Sequence, residues 1–456
     1  MVLYCTVYCT VVVSFIMLVI TNAVLGMLAE RGWLAGARAK HASLQSTADC
    51  MALFAAYVDA DAVPESAAIL PLVRSTSSWR ATAGFKEGPK DGFISFADES
   101  YAAMRDDESR TPFFAEAIAA RLAEAPRKSL AVLDIGTGPH AVLALLAAKA
   151  GARKVYAIEA DVEAARRARS LVLDEGWADV IEVIEGFSTS IELPELVDIV
   201  VSEIVGSIAS EEGVYATVQD AHARLVKEPL LHGSWIPHTV ETWGSPCSYA
   251  LHYALGEEAY DWGRIQEPLR LNCQDATLLP LHHAAARLEC IRFTDPSMPS
   301  AAGFPAVVES AFEITQQQLE ANEDSYFEAL CAAGVDEEAA SVHAARAARS
   351  LSGIAMWCRL VLREAQPAGE GGEGRGAAQI VVETRGGGTG GRSGAPGASC
   401  WQTVLPLMAV RPVTVGAGSV VWAKATVVLP DAVEDPVQYS LSVRVSSGAV
   451  SSVPAA

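Results

Sequence analysis

A chain of 456 residues with 51% hydrophobic side chains holds enough apolar material for two or three domains with large cores. Its formal charge of −21 argues against direct nucleic-acid binding, since phosphates would be repelled. The same charge draws in basic partners such as Arg-rich tails, although excess acid also serves solubility alone. Nine scattered cysteines with no CxxC pair signal neither a zinc site nor a disulfide framework, and fit a reducing compartment.

Residues 1–28 form an uncharged, mostly apolar stretch long enough to span a bilayer. No basic segment precedes it, which weakens a secretory reading. Arg31, Arg38 and Lys40 lie on its C-terminal side and would keep the remainder cytoplasmic if it inserted. Thr6, Thr10, Ser14, Thr21 and Asn22 dilute the signal, so a membrane anchor and a plain N-terminal extension stand side by side. A variable region, 29–94, follows with mixed helical patterning.

From Asp98 to Leu122 the spacing predicts a helix crossing an acidic turn, with Tyr101, Met104, Asp107, Arg110, Phe113, Phe114 and Ile118 in register. Between Ser129 and about Val226, strand and helix patterns alternate, as in a parallel sheet covered by helices. The strands expected are Ala131–Ile135, Lys154–Glu159, Val180–Glu185 and Val197–Ser202. Beyond Pro237 short β-like runs recur, at Thr239–Trp243, Ile354–Leu362, Gln379–Glu383, Trp401–Leu407 and Ser419–Val428. A helical insert of about Gln316–Ser350 interrupts them, and residues 368–399 read as a Gly-rich loop.

Leu133-Asp134-Ile135-Gly136-Thr137-Gly138 sits at a strand-to-helix turn, where glycine lets backbone approach a ligand closely. Glu159 closes the next strand, about 20 residues on, where an acid can accept both hydroxyls of a ribose. Ala141 fills the place of a third glycine, which separates the motif from the common dinucleotide fingerprint. The alternative is a tight turn with a solvated acid. Arg110 is a candidate for a cofactor carboxylate through a bidentate pair, or else for a surface bridge to Asp106, Asp107 or Glu108. Ser188 and Thr189 follow the third strand, where an adenine edge would lie, and either would also serve as a turn cap.

After the fourth strand the chain reads Glu203-Ile204-Val205-Gly206-Ser207-Ile208-Ala209-Ser210-Glu211-Glu212. Glu203 and Glu212, held across one short loop, make a fork that matches a planar guanidinium. Glu211 reads as a solvated surface acid beside them. His222, His232 and His238 lack metal-ligand spacing, so no metal is expected. Trp235, Trp243 and Trp357 read as core, and no nucleophile elbow is present.

These residues carry a family likeness. Ser100–Met104 with Asp107 and Arg110, Val132–Gly138, Ala148–Ala152, Val155–Glu159, Val197–Glu203 and Glu212 resemble the protein arginine N-methyltransferases. So do Ser352–Trp357 and Ser399–Val404, which are similar to that family's barrel and its Thr-His-Trp loop. The likeness implies an α/β fold: a Rossmann-like class I methyltransferase domain over 95–236, then a β-barrel-like substrate domain over 237–456. It makes the insert near 316–350 a helical dimerisation arm and the chain a homodimer.

By the same resemblance the cofactor is S-adenosylmethionine. Arg110 would hold its carboxylate, Asp134, Gly136 and Gly138 its amino-acid end, Glu159 its ribose, and Ser188 and Thr189 its adenine side. Glu203 and Glu212 would be the catalytic pair gripping the target arginine, with Tyr101, Met104 and Trp401 on the substrate side. Substrates would be Arg/Gly-rich proteins, histones or RNA-binding proteins among them, in cytoplasm or nucleus. Three positions depart from the family pattern. His140 stands where another glycine is usual, Cys400 replaces the loop histidine, and small residues (Ser207, Ile208, Ala209, Ser210) replace aromatics. Glu203–Ser207 is nearer to the symmetric branch, whereas Tyr101–Arg110 and Phe187–Thr189 lean to the monomethylating one, so product type stays open. The rival readings are a catalytically degenerate dimeric binding protein on the same fold and a class I methyltransferase for another acceptor.

Overall fold

A computed structural model describes residues 76–80, 98–254, 262, 265, 267–273, 278–298, 305–332, 334–365, 378–383, 401–429 and 437–446. The apolar segment 1–28, Cys400 and most of the Gly-rich stretch lie outside these residues. No helix among the described residues is long and apolar enough to cross a membrane.

The first part of the chain runs β1 (Thr76–Arg80), α1 (Asp98–Arg105), α2 (Thr111–Ala123), β2 (Ala131–Ile135), α3 (Val142–Ala150), β3 (Lys154–Glu159), α4 (Val162–Asp174), β4 (Ile181–Glu185), β5 (Ile199–Ser202), α5 (Val214–Arg224) and β6 (Trp235–Ile236). β2 to β6 form one parallel sheet in the order β4-β3-β2-β5-β6. β2 and β5 are buried along their whole length, as central parallel strands covered on both faces should be. The sequence places β2 and β3 to the residue. The single helix expected over Asp98–Leu122 is instead two. The chain turns at residues 106–110, where buried Asp107 accepts a bond from Ser109 N (2.8 Å) and Pro112 opens α2.

The second part runs β7 (Thr239–Tyr249), α6 (Ala250–Ala254), β8 (Leu269–Asn272), β9 (Leu278–Pro280), β10 (Ala286–Arg292), β11 (Ala306–Glu313), α7 (Gln316–Ala332), α8 (Glu337–Ala347), β12 (Ser350–Leu351), β13 (Gly353–Arg363), β14 (Ile380–Glu383), β15 (Gln402–Leu405), β16 (Val413–Thr414), β17 (Val420–Val428) and β18 (Gln438–Ser446). One antiparallel sheet is ordered β10-β7-β13-β15-β8, with β14 on β13 and β9 on β7; another is β1-β18-β17-β11. Both curl into half-barrels, giving the α/β-plus-barrel class expected. β1 belongs to this domain despite its place in the chain, with Thr76 opposite Ser442 and Arg80 opposite Gln438.

The helical insert is a hairpin. Asp336 caps α8 by accepting from Glu338 N and Ala339 N. Tyr326 and Leu330 of α7 and Ala340, Ala344 and Ala347 of α8 share a core with Tyr249, Trp262, Leu271 and Leu405. The apolar face of the hairpin is thus covered by its own chain.

Candidate active site

In a parallel sheet a ligand crevice opens where successive crossovers leave in opposite directions, beyond the C-terminal strand ends. Here that point lies between β2 and β5, because β3 and β4 extend the sheet one way and β5 and β6 the other. Gly136 follows β2 and Glu203 follows β5. Gly136 N and Thr137 N both donate to Ile158 O at 3.0 Å. Gly136 has a φ of +75°, and a Cβ there would lie 3.0 Å from Ile204 Cγ2, so the turn needs glycine.

Fully buried Asp134 ties the turn to α3: its Oδ2 accepts from Thr137 Oγ1 (2.6 Å) and Ala144 N (3.0 Å). Burial raises its pKa to about 7, and Oδ1 is left without a partner. Glu159 accepts from Gly138 N through Oε2 (2.8 Å) and from Asp161 N through Oε1 (2.9 Å). Burial pushes its pKa up, against those N–H bonds. Gly186 N donates to Glu159 O (2.9 Å), which brings the Ser188–Thr189 turn to the same rim; Ser188 is buried and Thr189 exposed. Arg224 holds that turn by donating to Ser188 O and Ile191 O, both at 3.0 Å.

The two roles read for Arg110 and Glu203 meet in one contact. The Arg110 guanidinium forms an ion pair with Glu203 and donates to Met104 O at 2.8 Å. Tyr101 lies over the glycine turn, its ring 3.6 Å from where a Gly138 Cβ would be. α1 therefore covers the crevice. His140 faces Arg105, Arg167, Asp106 and Asp98, polar groups of α1, its C-terminal flank and α4; burial and the two arginines hold its pKa down.

The acidic loop is built differently from its sequence reading. Glu211 is fully buried, not solvated. It accepts from Ser207 N (2.7 Å) and Ile208 N (3.4 Å) and forms an ion pair with Arg270 of β8. Gly206 is required by this fold-back, since a Cβ there would lie 2.7 Å from Glu211 Cβ. The burial escaped sequence reasoning because the counter-charge sits on a strand of the other domain. A Glu-Glu pair after a Gly-containing turn, with an isolated Arg on a later apolar strand, was the available signal.

The fold-back leaves Glu212 at φ +60°, a left-handed conformation uncommon for a side chain with Cβ, next to Gly213 at +72°. Burial, then the charges of Glu203 and Glu211, raise its pKa to about 8, with Arg110 and Arg270 opposing. Glu203 is raised to about 7, burial outweighing Arg110. Behind the loop, Ala209 N donates to Thr242 Oγ1 (2.9 Å), and Glu289 of β10 accepts from Thr242 Oγ1 (2.8 Å) and Tyr215 OH (3.2 Å). Trp401 is buried at the start of β15, the neighbour of Arg270's strand, with Val404 opposite Arg270. Of the three histidines, His232 and His238 come together with Glu364, a grouping their spacing did not announce.

A glycine turn, an acid closing the next strand and a helix over the crevice, on a sheet of this order, define the class I methyltransferase fold, here followed by a curled antiparallel domain. Within that class, residues 96–228 match the family described as PRMT5 arginine-N-methyltransferase. Protein arginine N-methyltransferase PRMT10 of Arabidopsis thaliana is 41% identical over 115 residues, 25% of this chain and 29% of that protein. Histone-arginine methyltransferase CARMER of Drosophila mojavensis is 38% identical over 134 residues, 29% of this chain and 23% of that protein. The chain thus aligns with less than a third of the length of these relatives.

Two solved structures share the fold over most of the chain. The Trypanosoma brucei PRMT1 enzyme–prozyme heterotetrameric complex with AdoHcy has a TM-score of 0.53 at 20% identity, covering 77% of this chain and 93% of that one. The open conformation of Arabidopsis thaliana protein arginine methyltransferase 10 has a TM-score of 0.52 at 19% identity, covering 77% and 98%.

Proposed function

We propose that the protein transfers a methyl group from S-adenosylmethionine to the guanidinium of arginine in protein substrates. The observation that carries the reading is convergence at the switch point: Glu203 and Glu212 stand at one crevice rim, and the glycine turn with Glu159 stands at the other. The match over residues 96–228 and the names of the aligned relatives support it.

The residues present fit the cofactor. A carboxylate offers about four acceptor sites, so Glu159 retains capacity for two ribose hydroxyls beside its two N–H bonds. Asp134 Oδ1 faces the problem of an unpartnered buried acceptor, which a cationic amino group near the turn would relieve. Arg110 is the guanidinium for the α-carboxylate. When bound, S-adenosylmethionine supplies a methyl group on a positively charged sulfur.

The protein's part is positioning and electrostatics. Free arginine is protonated, with a pKa above about 12. Glu203 and Glu212 would draw the positive charge to the far nitrogens, leaving one nitrogen electron-rich, and one of them would accept its proton. With Glu203 paired to Arg110 and the pKa of Glu212 raised to about 8, a proton on Glu212 is favoured until a guanidinium enters. α1, through Tyr101 and Met104, would close the crevice against water. Arg/Gly-rich proteins suit the acidic chain. A homodimer, if it forms through the α7–α8 hairpin, would use that hairpin's polar outer face.

The test is a radiolabelled transfer assay with an Arg/Gly-rich peptide, followed by acid hydrolysis, beside Glu212→Gln. Label in methylarginine that the variant loses supports the reading. Cofactor binding without label points to another acceptor, and absence of cofactor binding to a degenerate scaffold.

A further inference from the structure

A second cluster of chemically capable side chains lies at the junction of the two domains, and the methyl-transfer reading does not use it. His232 precedes β6, His238 immediately precedes β7, and Glu364 immediately follows β13. One donor atom from each lies within 4.8 Å of the other two. His238 Nδ1 is 3.3 Å from Glu364 Oε1, and His232 Nδ1 is 3.8 Å from Glu364 Oε2. The two rings lie 4.9 Å apart between centroids. The group lines a small pocket together with Trp235, Ile236 and, from α2, Ala117 and Arg121.

Zinc binds imidazole nitrogen and carboxylate oxygen at about 2.0–2.2 Å, which sets tetrahedral ligand atoms roughly 3.3 Å apart. The His238–Glu364 pair already has that separation. His232 and Glu364 have side chains 39% and 36% exposed, so rotation of these side chains closes the set without moving backbone. His238 is buried, and its other ring nitrogen, Nε2, lies 3.2 Å from Thr294 Oγ1. A hydrogen bond there fixes a metal-ligating imidazole with its opposite lone pair outward. Thr239 Oγ1, 2.8 Å from Nδ1, is the group a cation would displace. Arg121 and Arg363, cations lining the pocket, share Glu124, at 3.6 and 2.8 Å, so its single negative charge offsets one of the two.

We propose that His232, His238 and Glu364 form a site for a zinc-type divalent transition-metal cation, water completing the shell, which clasps the parallel-sheet domain to the antiparallel one. Two imidazoles and one carboxylate suit such an ion and not magnesium, which prefers an oxygen shell.

The test uses the full chain stripped of metal by chelator dialysis, titrated calorimetrically with zinc chloride and, separately, magnesium chloride, with thermal melts alongside. The expected result is one zinc per chain, no magnesium binding, and a rise in melting temperature that EDTA reverses. His232→Gln and Glu364→Gln, at partly exposed positions, should each weaken zinc binding at least tenfold while melting like the metal-free wild type. Failure of the wild type to bind zinc overturns the proposal. So does zinc binding that both variants retain unchanged, which would assign the metal to other ligands such as cysteines.

Discussion

Glu211→Ala tests directly how the acidic loop is held. The substitution takes from the Arg270 guanidinium its ion-pair partner, with Glu212 and Glu267 still near it, and takes the acceptor from Ser207 N and Ile208 N. Removing one partner of a buried ion pair costs about 3–5 kcal/mol. Arg270 keeps 22% of its side-chain surface exposed and hydrates in part, which places the pair at the lower end. The short Ser207 bond adds about 1–2 kcal/mol, and water entering the vacated space takes back a similar amount. A net loss of about 3 kcal/mol in local stability corresponds to an exchange rate roughly a hundredfold faster. Hydrogen exchange read by mass spectrometry on peptides spanning residues 203–212 measures it. Glu211→Gln keeps an amide oxygen for Ser207 N while losing charge, and should accelerate exchange only about tenfold. Exchange in Glu211→Ala equal to that of the wild type would refute the view that this buried acid organises the loop.

Glu203 and Glu212 carry folded-state pKa values of about 7 and 8, above the usual 4.5. The folded state therefore holds extra protons, so their contribution to stability is full below about pH 4.5 and is lost as pH rises through 7 and 8. Melting temperature should accordingly fall more steeply across that window in the wild type than in Glu212→Gln; parallel curves in thermal melts would contradict the assignment. Gly136→Ala forces a Cβ into left-handed backbone against Ile204, at about 1–2 kcal/mol for the conformation alone. Calorimetry should show S-adenosylhomocysteine binding weakened at least tenfold. Arg110→Lys keeps the charge but loses the planar fork that reaches both Glu203 and Met104 O, so cofactor affinity should drop at least tenfold. An unchanged dissociation constant would place the cofactor carboxylate elsewhere.

The parts legible in sequence were those governed by local pattern. β2 and β3 announce themselves because central parallel strands are unbroken apolar runs ending in Gly or an acid. The break between α1 and α2 was hidden. Tyr101 through Ile118 keep helical spacing across it, and only the buried Asp107 side chain, folded onto Ser109 N, shows that the chain turns. Glu159 and the glycine turn were readable as a pair because the parallel sheet fixes their spacing. Glu211 was not, because its burial depends on Arg270, which reaches it only once two domains have packed. The same holds for Glu364: nothing near it in sequence foretells His238, and β7 and β13 bring them together by pairing Val361 with Thr239. Long-range partners set the burial of polar groups, and burial here decides their chemistry.

The pairing of β1 with β18 has a consequence for synthesis. β18 is also held by β17, so β1 supplies its other edge, and the parallel-sheet domain is threaded between two strands that must finally meet. At roughly 5–20 residues per second, β1 leaves the ribosome tens of seconds before its partner is made. Throughout that interval the parallel-sheet domain can fold, whereas β1 waits unpaired and β17, once made, shows an open edge until β18 follows it, a template for aggregation. A truncation starting at residue 95, the natural place to cut for the parallel-sheet domain alone, would leave β18 without its edge partner in any chain that includes it.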